Sequence, residues 1–119
     1  MVSAIFDNDK ESGSIILRLT GHAGADEKGK DLVCAAASML AYTAAQTLWY
    51  MYEEGGLQKK PHIKLNEGDT LIVAKPKPEC FNEALHTFFV VQVGYHLLAE
   101  SYPRNIELIS FGKPESKEG

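Results

Sequence analysis

Basic clusters are missing from this 119-residue chain: twelve Lys and Arg stand against sixteen Asp and Glu, for a formal net charge of −4. Phosphate recognition needs clustered cations that release counterions, so a direct nucleic-acid surface is excluded. Cysteine is almost as scarce. Two thiols, Cys34 and Cys80, are too few for a disulfide scaffold, and no secretory signal precedes Asp7, so a reducing, cytoplasmic setting is expected. There is no Cys-x-x-Cys pair, no phosphate-binding glycine loop and no Gly-x-Ser-x-Gly elbow. His62, His86 and His96 have no ligand spacing to either cysteine, so no metal or other cofactor is implied.

Formal charge also disappears between Leu32 and Tyr52, a run as long as the roughly 20 residues that span a bilayer. Alanines together with Ser38, Thr43, Gln46 and Thr47 dilute its apolarity, so a buried, closely packed helix is the better reading and no membrane partner is expected.

What remains is an ordinary globular composition, 45% hydrophobic and 24% charged, of a length that suits one domain over residues 1–119. Val2 to Phe6 and Ser14 to Leu19 are short apolar runs around the turn-prone stretch 7–13, which predicts a hairpin. Asp31 reads as the N-cap of a helix running to Glu53-Glu54, where Gly55-Gly56 ends it. His62 to Leu65 and Leu71 to Ala74 form a second hairpin around Asn66-Glu67-Gly68-Asp69. From about Glu79, Phe81, Leu85, Phe88, Val91, Tyr95, Leu98 and Tyr102 recur every three to four residues, predicting a helix that stops before Pro103. Phe89, Val90, Val93 and Leu97 form another apolar strip on it. Ile106 to Phe111 makes a last strand, and residues 113–119 are a charged tail expected to fray.

The order ββαββαβ predicts an α+β fold, a single layer of two helices packed on a mostly antiparallel sheet. Both helices carry more apolar surface than one sheet face can cover. A homodimer is therefore expected, a small core wrapping both helices being the alternative.

Chemistry concentrates at the first helix. Cys34, three residues after Asp31, falls in the first turn, where free backbone N–H groups and the helix dipole favour a thiolate and could also receive an oxyanion. Position alone does not prove catalysis, since a lone cysteine beside alanines often only packs. His22 supplies what Cys34 lacks. It lies in the segment 21–30, whose Gly21, Gly24 and Gly29 predict a mobile loop able to bring imidazole to the sulfur as a base; a plain exposed loop histidine is the alternative. Ser38, one turn after Cys34, shares its face and would either point into the site or bond back to the Cys34 carbonyl. Asp31 could orient the His22 ring, although capping is the simpler duty. Cys80 has no such histidine loop, so packing is favoured there.

Gly21-His22-Ala23-Gly24 followed by Gly29-Lys30-Asp31-Leu32-Val33-Cys34-Ala35-Ala36-Ala37-Ser38 closely resembles the ribosomal-processing cysteine protease family, Prp. The resemblance extends over the whole chain in length and element order. It implies a Cys–His dyad, with Cys34 as nucleophile and His22 as base and with Asp31 and Ser38 as supporting residues. It also implies a homodimer with a loop over the site and a substrate that is a large-subunit ribosomal protein, number twenty-seven. That protein's short N-terminal extension would be cut off after a hydrophobic, phenylalanine-containing motif. A non-catalytic ribosome-associated assembly module, and a thiol switch joining Cys34 to Cys80, are the competing expectations.

Overall fold

In the computed structural model, residues 1–22 and 30–110 are described, with Lys30 and Asp31 through their backbone alone. The elements are β1 (Val2–Asp9), β2 (Ser14–Thr20), α1 (Lys30–Glu53), β3 (His62–Asn66), β4 (Asp69–Ala74), α2 (Phe81–Ser101) and β5 (Ile106–Ser110). A single 3-10 turn, Pro78–Cys80, leads into α2. The order is ββαββαβ, with both helices on one five-stranded sheet ordered β3-β4-β2-β1-β5.

Strand alternation decides which way the sheet faces. Val2, Ala4 and Phe6 of β1, Ile15, Leu17 and Leu19 of β2, and Ile72 and Ala74 of β4 are buried, while their neighbours in sequence are more open. A period of two puts every buried residue on the helix side. Hairpin connections make β1–β2 and β3–β4 antiparallel, and β2–β4 is antiparallel as well. Only β1–β5 is parallel, because the chain returns beside β1 through α2.

β1 extends to Asp9, past the expected end at Phe6. Asp7, Asn8 and Asp9 pair with Ile16, Ile15 and Ser14, so cross-strand bonding carries polar residues that by composition belong to a turn. Gly13, at φ +76°, then closes the hairpin with its N–H donated to the Asp9 carbonyl at 2.7 Å.

α1 lies on the sheet through Val33, Ala37, Ala41, Ala44, Ala45, Leu48 and Met51, largely small side chains that let helix and sheet approach closely. Residues Leu32–Glu53 are long and apolar enough to cross a membrane by length and composition, yet this alanine face is seated on the sheet, as in the core helix of a globular domain. α2 buries Ala84, Phe88, Val91 and Tyr95. Phe6 packs edge-on against both aromatics, with ring centroids 6.0 Å from Phe88 and 5.7 Å from Tyr95. The two helices meet where Gly94 faces Leu40: a Cβ at Gly94 would stand 2.6 Å from a Leu40 methyl. The buried Tyr95 hydroxyl donates to the Ala37 carbonyl at 2.7 Å, which ties α2 to the first half of α1.

The other strip of α2, formed by Phe89, Val90, Val93 and Leu97, faces outward, as do Leu32, Met39 and Tyr50 on α1. The excess of apolar helix surface read from the sequence is therefore real and uncovered in one copy of the chain.

Candidate active site

Three elements converge at one end of the sheet. β2 ends at Thr20, and the chain leaves through Gly21, whose φ of +93° excludes ordinary side chains; a Cβ there would collide with the Met1 carbonyl. Gly21 N–H donates to the Gly68 carbonyl at 3.2 Å, pinning the strand end to the β3–β4 turn. This delivers His22 onto Gly68, where an added Cβ would lie 2.8 Å from Cε1 and 2.9 Å from Nε2 of the ring. The turn itself is held by Lys64 and Asp69, whose Nζ and Oδ2 are 2.7 Å apart. Lys64, by hydrogen bond and charge, lowers the Asp69 pKa below the usual carboxylate value.

α1 forms the facing wall. His22, Cys34 and Ser38 line one cavity of about 350 Å³, together with Gly21, Gly68 and Tyr42. Val2, Leu19 and Leu65 supply apolar floor and rim. Cys34 is half-buried and its thiol is free, whereas His22 is exposed. Neither side chain hydrogen-bonds to another described residue, so the pair shares a cavity without being joined.

Ser38 resolves one alternative. Thr43 and Thr47 bond back to the carbonyls of Met39 and Thr43 at 2.7 and 2.8 Å, but Ser38 makes no such bond and instead lines the cavity. Asp31 requires a correction. The helix already includes Lys30, so Asp31 stands within the first turn and is not the N-cap, and its side chain lies outside the described residues. Cys34 is accordingly the fifth helical residue, just behind the first-turn N–H groups of residues 30–32, which have no partner inside the helix. Gly24 and Gly29, the predicted mobile segment between them, and the tail 113–119 likewise lie outside the described residues.

Cys80 sits elsewhere. Its sulfur borders Gly56, past the far end of α1, and the nineteen positions from Cys34 to Glu53 alone span about 29 Å. A disulfide needs Cα atoms within about 7 Å, so the Cys34–Cys80 switch is ruled out in this fold. Among the described residues no group of three or more His, Cys, Asp or Glu is placed to hold a metal ion.

Sequence reasoning missed Gly68, Tyr42, Val2 and Leu65. Gly68 carried a signal, a glycine at a hairpin tip, but nothing local said that it would back His22.

A family model described as cysteine protease Prp matches residues 1–107. The chain belongs to that family. No curated protein matches it. Among solved structures it is similar to a protein of Streptococcus mutans, with 24% identity, 93% of this chain and 94% of that one covered, and a TM-score of 0.67. It is equally similar in fold to an essential ribosomal processing protease Prp from S. aureus, solved with a covalently linked product peptide: 23% identity, 93% and 100% covered, TM-score 0.67. The same S. aureus protease solved with a substrate peptide gives 20% identity, the same coverage and a TM-score of 0.67. At these identities the solved structures establish the fold, and the family model establishes the cysteine protease family.

Proposed function

We propose that this chain is a cytoplasmic cysteine endopeptidase that removes the N-terminal extension of large-subunit ribosomal protein twenty-seven, with Cys34 as nucleophile and His22 as its base. The observation that carries this reading is the shared cavity: two residues twelve positions apart, one on a strand exit and one on a helix, open onto the same space of a size suited to a peptide segment. The names of the S. aureus relatives, a ribosomal processing protease with substrate and product peptides, support the substrate class.

In the proposed reaction His22 takes the Cys34 proton and the thiolate attacks the scissile carbonyl. The first-turn N–H groups of residues 30–32, just before Cys34, are proposed to receive the oxyanion. His22 then protonates the leaving amine, and water releases the acyl group from the sulfur. Ser38, free of helix back-bonding, supports the site as a polar wall of the cavity; Asp31 is kept as a second supporting residue on the resemblance alone. The working unit is proposed to be a homodimer, because Phe89, Val90, Val93 and Leu97 form a continuous exposed apolar strip on α2.

The test is incubation of the protein with the ribosomal protein carrying its extension, and reading of the product N-terminus by mass spectrometry. Wild-type protein is expected to cut once, after the apolar motif, and Cys34→Ala to bind without cutting. Cleavage by a folded Cys34→Ala variant would remove the dyad. Binding with no cleavage by either protein would leave a non-catalytic assembly module.

A further inference from the structure

Beside the catalytic cavity lies a second, of about 640 Å³, lined by Tyr42, Ala45, Gln46, Trp49, Ile63 and Leu65. Tyr42 and Leu65 line both, so the two form one groove between α1 and β3. The groove is largely aromatic and aliphatic, with Lys60 at its far end, its Nζ 5.9 Å from the Trp49 ring centroid.

The open side of this groove is a bare sheet edge, since β3 is the outermost strand beyond β4. The pairing register fixes which backbone groups are spare. A two-residue turn makes Asn66 and Asp69 a hydrogen-bonded pair, and bonding alternates along an antiparallel ladder. His62, Lys64 and Asn66 therefore spend their N–H and C=O groups on β4, while Ile63 and Leu65 point theirs outward. The side chains of these same two residues lie opposite Ile72 and Thr70, both buried on the helix side. Free hydrogen-bonding groups and groove-lining side chains thus belong to the same residues. A strand added at this edge would place alternate side chains over Tyr42, Gln46 and Trp49.

We infer that the substrate docks by extending the sheet: the segment before the scissile bond pairs with Ile63 and Leu65 as a sixth strand and drops alternate apolar side chains into the groove of Tyr42, Trp49, Ile63 and Leu65. This rests on the endopeptidase reading given above, in which the apolar motif precedes the cut. Its direction follows, because Asn66 and Gly68 are at the Cys34 end and Ile63 at the Trp49 end, so the docked segment runs parallel to β3. Its length follows too. Trp49 is fifteen positions from Cys34, about 22 Å along α1, which an extended chain covers in roughly six or seven residues.

The experiment uses full-length Cys34→Ala protein and an eight-residue peptide that alternates leucine with asparagine and ends in phenylalanine. Peptide affinity is measured by fluorescence anisotropy and amide exchange by NMR. Binding is expected to slow exchange of the Ile63 and Leu65 N–H groups. N-methylation of the peptide is expected to weaken binding roughly three- to tenfold at alternate amides, the loss of one hydrogen bond, and to leave the intervening amides without effect. Gln46→Trp, an exposed change that fills the groove, is expected to weaken binding at least tenfold. Peptide binding with neither edge protection nor alternation overturns the inference, as does protection of Ile63 and Leu65 that depends on protein concentration without peptide, the mark of a second copy on β3. Wild-type cleavage of the ribosomal protein is scored in parallel. Cleavage without the alternating pattern removes the docking strand and keeps the endopeptidase; the pattern without cleavage keeps the docking strand and removes the endopeptidase.

Discussion

Gly68→Ala and Gly13→Ala form a matched pair, because both glycines sit at hairpin tips with almost identical φ, +75° and +76°. Each substitution places a Cβ in the left-handed region at a cost of about 1–2 kcal/mol, so both should lose comparable stability, several degrees in Tm. Their surroundings differ completely. At Gly13 nothing lies within 4 Å of the new methyl, whereas at Gly68 it meets His22 Cε1 at 2.8 Å and Nε2 at 2.9 Å. The ring must retreat by roughly 0.6 Å to restore an ordinary contact near 3.4 Å. Misplacement of a catalytic group by about 1 Å can cost on the order of a hundredfold, so Gly68→Ala should reduce kcat/KM by roughly 10- to 100-fold. Gly13→Ala should retain nearly full activity. Peptide cleavage well below both melting temperatures, with thermal unfolding followed by circular dichroism, separates the terms. Equal activities in the two variants would show that the His22 position against Gly68 has no part in catalysis.

Removing the Tyr95 hydroxyl in Tyr95→Phe should cost about 1 kcal/mol in urea unfolding, the worth of its bond to Ala37. Burial raises the Tyr95 pKa, so the folded state favours the neutral phenol; that stability is complete below the unfolded value near 10 and is lost as pH rises further. Unfolding titrations above about pH 10 should therefore show a steeper decline for wild type than for Tyr95→Phe. Lys64→Met should return the Asp69 pKa upward in an NMR titration, with little change in stability because both groups are solvent-exposed. Val93→Glu together with Leu97→Glu should convert the proposed dimer into a monomer by sedimentation velocity; an unaltered dimer would move the interface away from α2, and a monomeric wild type would remove the dimer.

The alternation in β1, β2 and β4 and the three-to-four spacing in α2 are local patterns that burial on one sheet face imposes, so the strands and helices were readable in kind and order, though not at every end. Cys34 was readable for a similar reason, since only the beginning of α1 had to be located to put a thiol beside unpaired N–H groups. The error of a residue or two at Asp31 is of the kind that helix ends commonly show. Other features depended on contacts remote in sequence. Gly68 backs His22 across 46 positions through the β2–β4 pairing, and Val2 reaches the cavity because β1 lies next to β2. Neither relation leaves a periodic trace. The strand order β3-β4-β2-β1-β5 was equally hidden, because the parallel β1–β5 pair joins the two ends of the chain.

Val2 lines the cavity, its N–H is bonded to the Asn105 carbonyl at 2.8 Å, and the Met1 carbonyl occupies the space that a Cβ at Gly21 would need. Any affinity tag fused ahead of Met1 would consequently emerge at the rim of the cavity, one residue from its wall. Such a tether would be present at high effective concentration beside Cys34 and could occupy the groove in cis, so activity comparisons depend on its removal.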